Sequence, residues 1–292
     1  MKKSRQEIAF QVTDVIIMIL VLLTIVLPFM HIFSVSVSSD EAVTALSVGL
    51  LPKGFNVAAY KEILGQSVFL RSFANTVLVT IVTTAGSIFI NFMAAYAFSK
   101  EFFAKRVITY FFVFTMYFGG GLIPTFILMT NWLHLTNNYL AFILPSLVNV
   151  FYIIIMRSQI ESIPPSLGEA AVIDGATEFQ VMTKIILPTM TATIAAICMF
   201  VALGMWNMWY PVMLYSNRRE YWSLQYFLRI VVFEKSMDYQ TEGLAGISEA
   251  ETFNPQNYQM AAIILVALPV VAIYPFIQKY FVKGILVGSV KE

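Results

Sequence analysis

Charged residues divide this chain into long intervals that contain no Asp, Glu, Lys or Arg: 15–39, 72–99, 107–156, 185–217 and 252–278. About 20 helical residues at 1.5 Å rise cross about 30 Å of hydrocarbon, so each interval is long enough for one membrane span and 107–156 is long enough for two. The turn inside that interval is expected near Trp132 to Asn138, where Asn131, His134, Asn137 and Asn138 interrupt the apolar run. The pattern therefore predicts an all-α, polytopic membrane protein with six transmembrane helices. Gly119, Gly120, Gly121 and Pro124 are expected to loosen or kink the third span near its end. Pro145, Pro188, Pro211, Pro269 and Pro275 mark further kinks that a membrane helix tolerates.

Composition agrees. The 292 residues are 59% hydrophobic and 12% charged, against about 25% charged in soluble domains. A net charge of +1 with no basic tract gives nucleic acid nothing to bind, and lipid is the large partner that composition demands. The single Cys198 excludes a disulfide within the chain. Lys2, Lys3 and Arg5 before span one, Lys100, Lys105 and Arg106 between spans two and three, and Lys279, Lys283 and Lys291 at the end place both termini in the cytoplasm. The seven basic residues of the long loops 40–71 and 218–251 do not oppose this, because long loops translocate largely regardless of charge. The start of the chain imitates a secretory signal, but its apolar stretch from Val15 to Phe33 exceeds a signal core, so an uncleaved first helix is expected. The partition is then 1–71 for the N-terminal tail, first span and external loop, 72–283 for the membrane core, and 284–292 for a cytoplasmic tail. The core includes a cytoplasmic segment at about 157–187 and an external loop at about 218–251.

That cytoplasmic segment has its own punctuation. Pro164 and Pro165 stop the fourth span, and Ser166 with Glu169 has the spacing of a capping box that opens a new helix. Gly175 ends it in the left-handed conformation, and Thr177 with Gln180 repeats the capping pattern for a second helix running to Pro188. On the first helix, Leu167, Ala170, Ala171 and Asp174 fall on one face, where small side chains admit a close neighbour. Taken alone, Glu169 is either a capping acid or a contact.

The ordered set Glu169-Ala170-Ala171, Asp174-Gly175-Ala176 and Ile185, Leu187, Pro188 resembles, position for position, the Glu-Ala-Ala loop of permease subunits in ATP-binding-cassette importers. Asn75-Thr76, the run from Ala94 to Ser99, Trp206-Asn207 with Trp209 and Pro211, and Lys283-Gly284 with Gly288 are similar to the carbohydrate branch typified by the maltose system. The stretch from Tyr221 to Arg229 is similar to its complex-oligosaccharide subgroup. The resemblance implies the type I importer architecture in a bacterial plasma membrane, with the loop as a coupling helix seated on a cytoplasmic ATPase. It also implies a homologous second permease, an ATPase dimer and an extracellular solute-binding protein. No Gly-x-x-x-x-Gly-Lys-Ser/Thr loop occurs, so this chain needs no cofactor of its own, and ATP and magnesium belong to the ATPase.

The uncharged spans suit a neutral polar solute better than an ion-coupled carrier, which keeps intramembrane charge. Thr80, Thr84, Ser87 and Asn91 share one face of span two, which either lines a path or packs against a neighbour. Asn91, Asn149, Trp206, Asn207, Trp209 and Tyr210 combine amides with aromatic faces, the pairing that a sugar uses, although Trp and Tyr also gather at bilayer interfaces. His134 has no visible metal partners. No nucleophile, base and orienting group come together, so an enzyme is not expected. The rival to an importer subunit is a stand-alone carrier or facilitator, in which the polar helices only cap the bundle.

Overall fold

The computed structural model describes residues 4–234 and 254–289. In chain order it contains α1 (Arg5–Ser36), α2 (Asp40–Thr44), α3 (Ala58–Gly65), α4 (Ser67–Ser99), α5 (Lys105–Tyr117), α6 (Leu122–Ile127), α7 (Leu140–Leu147) and α8 (Val150–Glu161). Then come α9 (Pro165–Ile173), α10 (Glu178–Gln180), α11 (Leu187–Thr189), α12 (Thr191–Trp206), α13 (Tyr210–Tyr215), α14 (Leu224–Arg229) and α15 (Pro255–Ser289). Wide π-type turns at Leu128–Trp132, Val181–Ile186 and Ile230–Glu234 extend α6, join α10 to α11, and extend α14. Among the described residues there is no strand.

Four stretches are long and apolar enough to cross a membrane: Gln6–Ser36, Ser67–Ser99, Leu140–Glu161 and Pro255–Pro275. Two bent pairs, Lys105–Tyr117 with Leu122–Trp132 and Glu178–Thr189 with Thr191–Trp206, bring the total to six if each counts as one span. The turn expected near 132–138 falls between the π turn ending at Trp132 and α7.

One expectation needs correction. The glycine run breaks the third segment at its middle, with a bend of 103°. Phe118 is extended and Gly121 has φ +85°, a conformation that glycine adopts without steric cost. The second helix of the polar segment ends close to Pro188, as its sequence suggests. The helix from Glu178 runs through Pro188 to Thr189, and the chain turns by 82° before Thr191. Pro188 offers no N–H to the Lys184 carbonyl, so a widened π turn before it costs less than a regular one would.

The described residues form two compact units, 4–69 with 228–234 and 254–269, and 70–227 with 270–289. In the first, α1 is exposed along its apolar length, as suits a lipid-facing helix. Its end is tied down by serines: Ser34 Oγ donates to the Leu50 carbonyl at 2.6 Å, and Asn257 Nδ2 donates to the Ser38 carbonyl at 2.9 Å. In the second, α4 packs against α8, α12 and the Val181–Ile186 turn through Phe92, Ala95, Met156, Met182 and Ile197. Asn75 and Thr76 near the start of α4 hold residues 220–224. Asn75 Nδ2 donates to the carbonyls of Glu220 and Trp222 at 2.7 and 3.0 Å, and its Oδ1 accepts from Tyr139. Thr76 Oγ1 accepts from the Leu224 N–H at 2.8 Å.

Asn75 is only 8% exposed, so Asn75→Ala leaves buried partners without bonds and should cost about 1–3 kcal/mol. A lowered midpoint in detergent thermal unfolding checks this, with Tyr139→Phe giving a smaller drop.

Candidate functional site

The polar segment after α8 folds as a helix, a sharp corner and a second helix. Its start differs from expectation: α9 begins at Pro165 with Pro164 as its cap, and no side chain caps it. The Ser166–Glu169 capping box is therefore not formed. Proline suits the first helical position because its missing N–H would have no partner there, and this moves the start ahead of Ser166. Glu169 is thereby free of capping duty.

The corner is built from local bonds. Gly175 has φ +83°, its N–H donates to the Val172 carbonyl at 3.0 Å, and the Ala176 N–H donates to Ala171 at 2.9 Å. These two bonds make a Schellman motif, which takes up carbonyls that a helix end leaves open. The next helix opens on a complete capping box, with the Thr177 N–H donating to Gln180 Oε1 at 2.8 Å and the Gln180 N–H donating to Thr177 Oγ1 at 3.3 Å.

Small residues face inward. A Cβ on Gly168 would lie 3.7 Å from a Val181 methyl group, and Ala171 and Ala176 pack on the cluster that contains Val181 and Met182. Ala170 and Asp174 are exposed, and so are Leu167, Val172, Ile173 and Phe179, with Ile173 at 85%. Exposed large apolar side chains grouped on one segment are the kind of patch that marks an interaction surface.

Behind the corner, Tyr96, Lys100, Glu161, Gly168, Glu169 and Glu178 line a cavity of about 750 Å³. Glu178 is the link to α4: its carboxylate accepts from the Tyr96 hydroxyl at 2.5 Å and pairs with Lys100 Nζ at 3.2 Å. Burial works to lower the Lys100 pKa, but the hydrogen bonds with Tyr96 and Glu178 outweigh it. The ammonium pKa ends above the ordinary lysine value, so the group is charged at neutral pH. Sequence reasoning did not single out Glu178, because its partners lie about 80 positions away and nothing local signals them.

The pathway candidates fall into two groups. Asn91 is fully buried and joins three elements: its Nδ2 donates to the Ser87 and Leu147 carbonyls at 2.6 and 2.9 Å, and its Oδ1 accepts from the Asn149 N–H at 2.9 Å. Ser87 and Asn91 on this face of α4 therefore pack, whereas Thr80 and Thr84 line an apolar groove. Asn149 caps α8 through Phe151 and is exposed. The second group surrounds the break between α12 and α13. Trp206 is buried edge-on to Phe73 at 6.1 Å, and Asn207 is exposed, bonding to the Leu203 carbonyl and to Gln225. Trp209 and Tyr210 meet edge-on at 5.5 Å. Among the described residues, no three His, Cys, Asp or Glu side chains could share a metal ion.

Residues 87–287 match the family model of the binding-protein-dependent transport system inner membrane component. The polygalacturonan/rhamnogalacturonan transport system permease protein YtcP of Bacillus subtilis is 37% identical, over 91% of this chain and 92% of its own length. Protein LplC of the same organism is 35% identical, over 91% and 89%. A crystal structure of a bacterial ABC transporter that imports the acidic polysaccharide alginate contains a similar chain, with TM-score 0.87, 32% identity and coverage of 96% and 99%. With the family model spanning more than half of its length, and with membrane-length helices broken as described, this chain belongs to the binding-protein-dependent transport system inner membrane components.

Proposed function

We propose that the chain forms half of the translocation path of an ATP-driven oligosaccharide importer in a bacterial plasma membrane, with a homologous permease as the other half. A separate cytoplasmic ATPase pair, carrying ATP and magnesium, docks on the corner at Glu169, Ala170, Ala171, Asp174, Gly175 and Ala176. A solute-binding protein delivers the sugar from outside. Both termini and the 157–187 segment face the cytoplasm, and 218–251 faces outward. Asn149, Asn207, Trp209 and Tyr210 remain the candidate path residues, with Asn91 and Trp206 supporting them from buried positions. Fragments of acidic polysaccharides are the first solutes to try, because YtcP is a polygalacturonan/rhamnogalacturonan permease and the similar solved transporter takes part in alginate import.

The observation that carries this reading is the exposed apolar surface of α9 on a locally hydrogen-bonded corner outside the membrane-length helices. Gly175 is where that corner can be broken. A proline fixes φ near −65° and has no N–H, so Gly175→Pro removes both the left-handed turn and the bond to Val172. In a pull-down from membranes, Gly175→Pro and Ala171→Trp should lose the ATPase. Retained ATPase and retained uptake would overturn the docking assignment. ATP-independent uptake by the purified chain in liposomes would favour a stand-alone carrier instead.

Glu178 would pass motion of the corner to α4 through Tyr96 and Lys100. The side chains of Lys100 and Glu178 are 49% and 66% exposed, so their pairing adds no more than about 1 kcal/mol, or about fivefold in a rate. Glu178→Lys should lower sugar-stimulated ATP hydrolysis within that limit, and adding Lys100→Glu should restore it. A double variant as slow as the single one would show that the pair carries no coupling.

A further inference from the structure

The break between α7 and α8 interrupts a span at its middle, because Asn149 stands about 13 Å of helix rise from Leu140. At that depth an unsatisfied backbone group costs several kcal/mol, and irregular backbone persists only where it is buried in protein or faces water. Asn91 takes up the Asn149 N–H and the Leu147 carbonyl. Asn149 itself is exposed, and its Oδ1 accepts from the Phe151 N–H at 3.0 Å. Its Nδ2 has no acceptor among the described residues.

The side chain borders a cavity of about 480 Å³ that is also lined by Phe111, Phe112, Thr115 and Val150. Phe111 and Thr115 stand one turn apart on α5, on the same face. The Thr115 hydroxyl donates its proton to the Phe112 carbonyl at 2.7 Å, which leaves its oxygen to accept. The wall thus offers an amide donor, a hydroxyl acceptor and two phenyl groups. A lipid chain satisfies neither polar group. A sugar satisfies all of them, since its hydroxyls both donate and accept and the C–H face of its ring packs on an aromatic surface.

We propose that this cavity is a carbohydrate subsite within the translocation path, in which Asn149 Nδ2 and Thr115 Oγ1 bond to sugar hydroxyls and Phe111 and Phe112 support the ring. The assignment rests on the reading of the chain as a sugar importer subunit. It adds α5 to the path, where neither Phe111 nor Thr115 was a sequence candidate.

The test uses the importer in native membranes, with Cys198→Ala removing the native thiol. Single cysteines are placed by Thr115→Cys, by Asn149→Cys and, as a lipid-facing control on α1, by Val21→Cys. A charged methanethiosulfonate reagent reacts with thiolate, which forms in water and not in hydrocarbon, so Thr115→Cys and Asn149→Cys should react at least about tenfold faster than Val21→Cys. Trigalacturonate or maltotriose, supplied during ATP-driven turnover, should then slow the reaction at Thr115→Cys. Control-like rates at both positions overturn the proposal, because lipid or another chain then covers the cavity. Fast reaction that neither sugar slows, in membranes still importing one of them, overturns the subsite and spares the importer reading. Loss of that broader reading is recognised separately, by the absence of ATP-driven uptake of any oligosaccharide in membranes carrying the unaltered chain.

Discussion

A helix broken inside a bilayer frees backbone N–H and C=O groups that lipid cannot satisfy, and this constraint governs the larger unit of the protein. At the α7–α8 break the answer is one buried side chain. Asn91 serves as donor to one flank and acceptor to the other, and both bonds sit at 2.9 Å. That clamp holds the extended residues Val148 and Asn149 between α7 and α8. Nearer the start of α4, Asn75 performs the same kind of task for residues 220–222.

These bonds give α4 a central place. A single 33-residue helix carries the Asn75–Thr76 clasp, the Asn91 clamp and the Tyr96 contact to the corner. The corner itself depends on local chemistry, since the Schellman bonds and the capping box join residues no more than five positions apart. Local bonds thus close the corner, while the unbroken length of α4 connects it to contacts made far along the chain.

The apolar intervals located the spans because the helical rise and the thickness of hydrocarbon set one length for all of them. Gly175 and the Thr177–Gln180 pair were legible because turn and cap chemistry acts over three to five residues. The Ser166–Glu169 pattern misled for an instructive reason: two motifs competed for one helix start, and proline at the first position prevailed over a side-chain cap. The glycine run signalled a break but not its size, since glycine permits a bend of 103° without demanding one.

The sequence by itself determined membrane residence, the all-helical class, the placement of the polar corner and its resemblance to an importer loop. All of these rest on composition, on period and on bonds between near neighbours. Only the tertiary structure decided that Asn91 packs while Asn149 stays exposed. It alone revealed that Glu178 reaches Tyr96 and Lys100, and that Phe111 and Thr115 share a cavity with Asn149. Those pairings span from about 35 to about 80 positions, and a one-dimensional pattern holds no distance between residues so far apart.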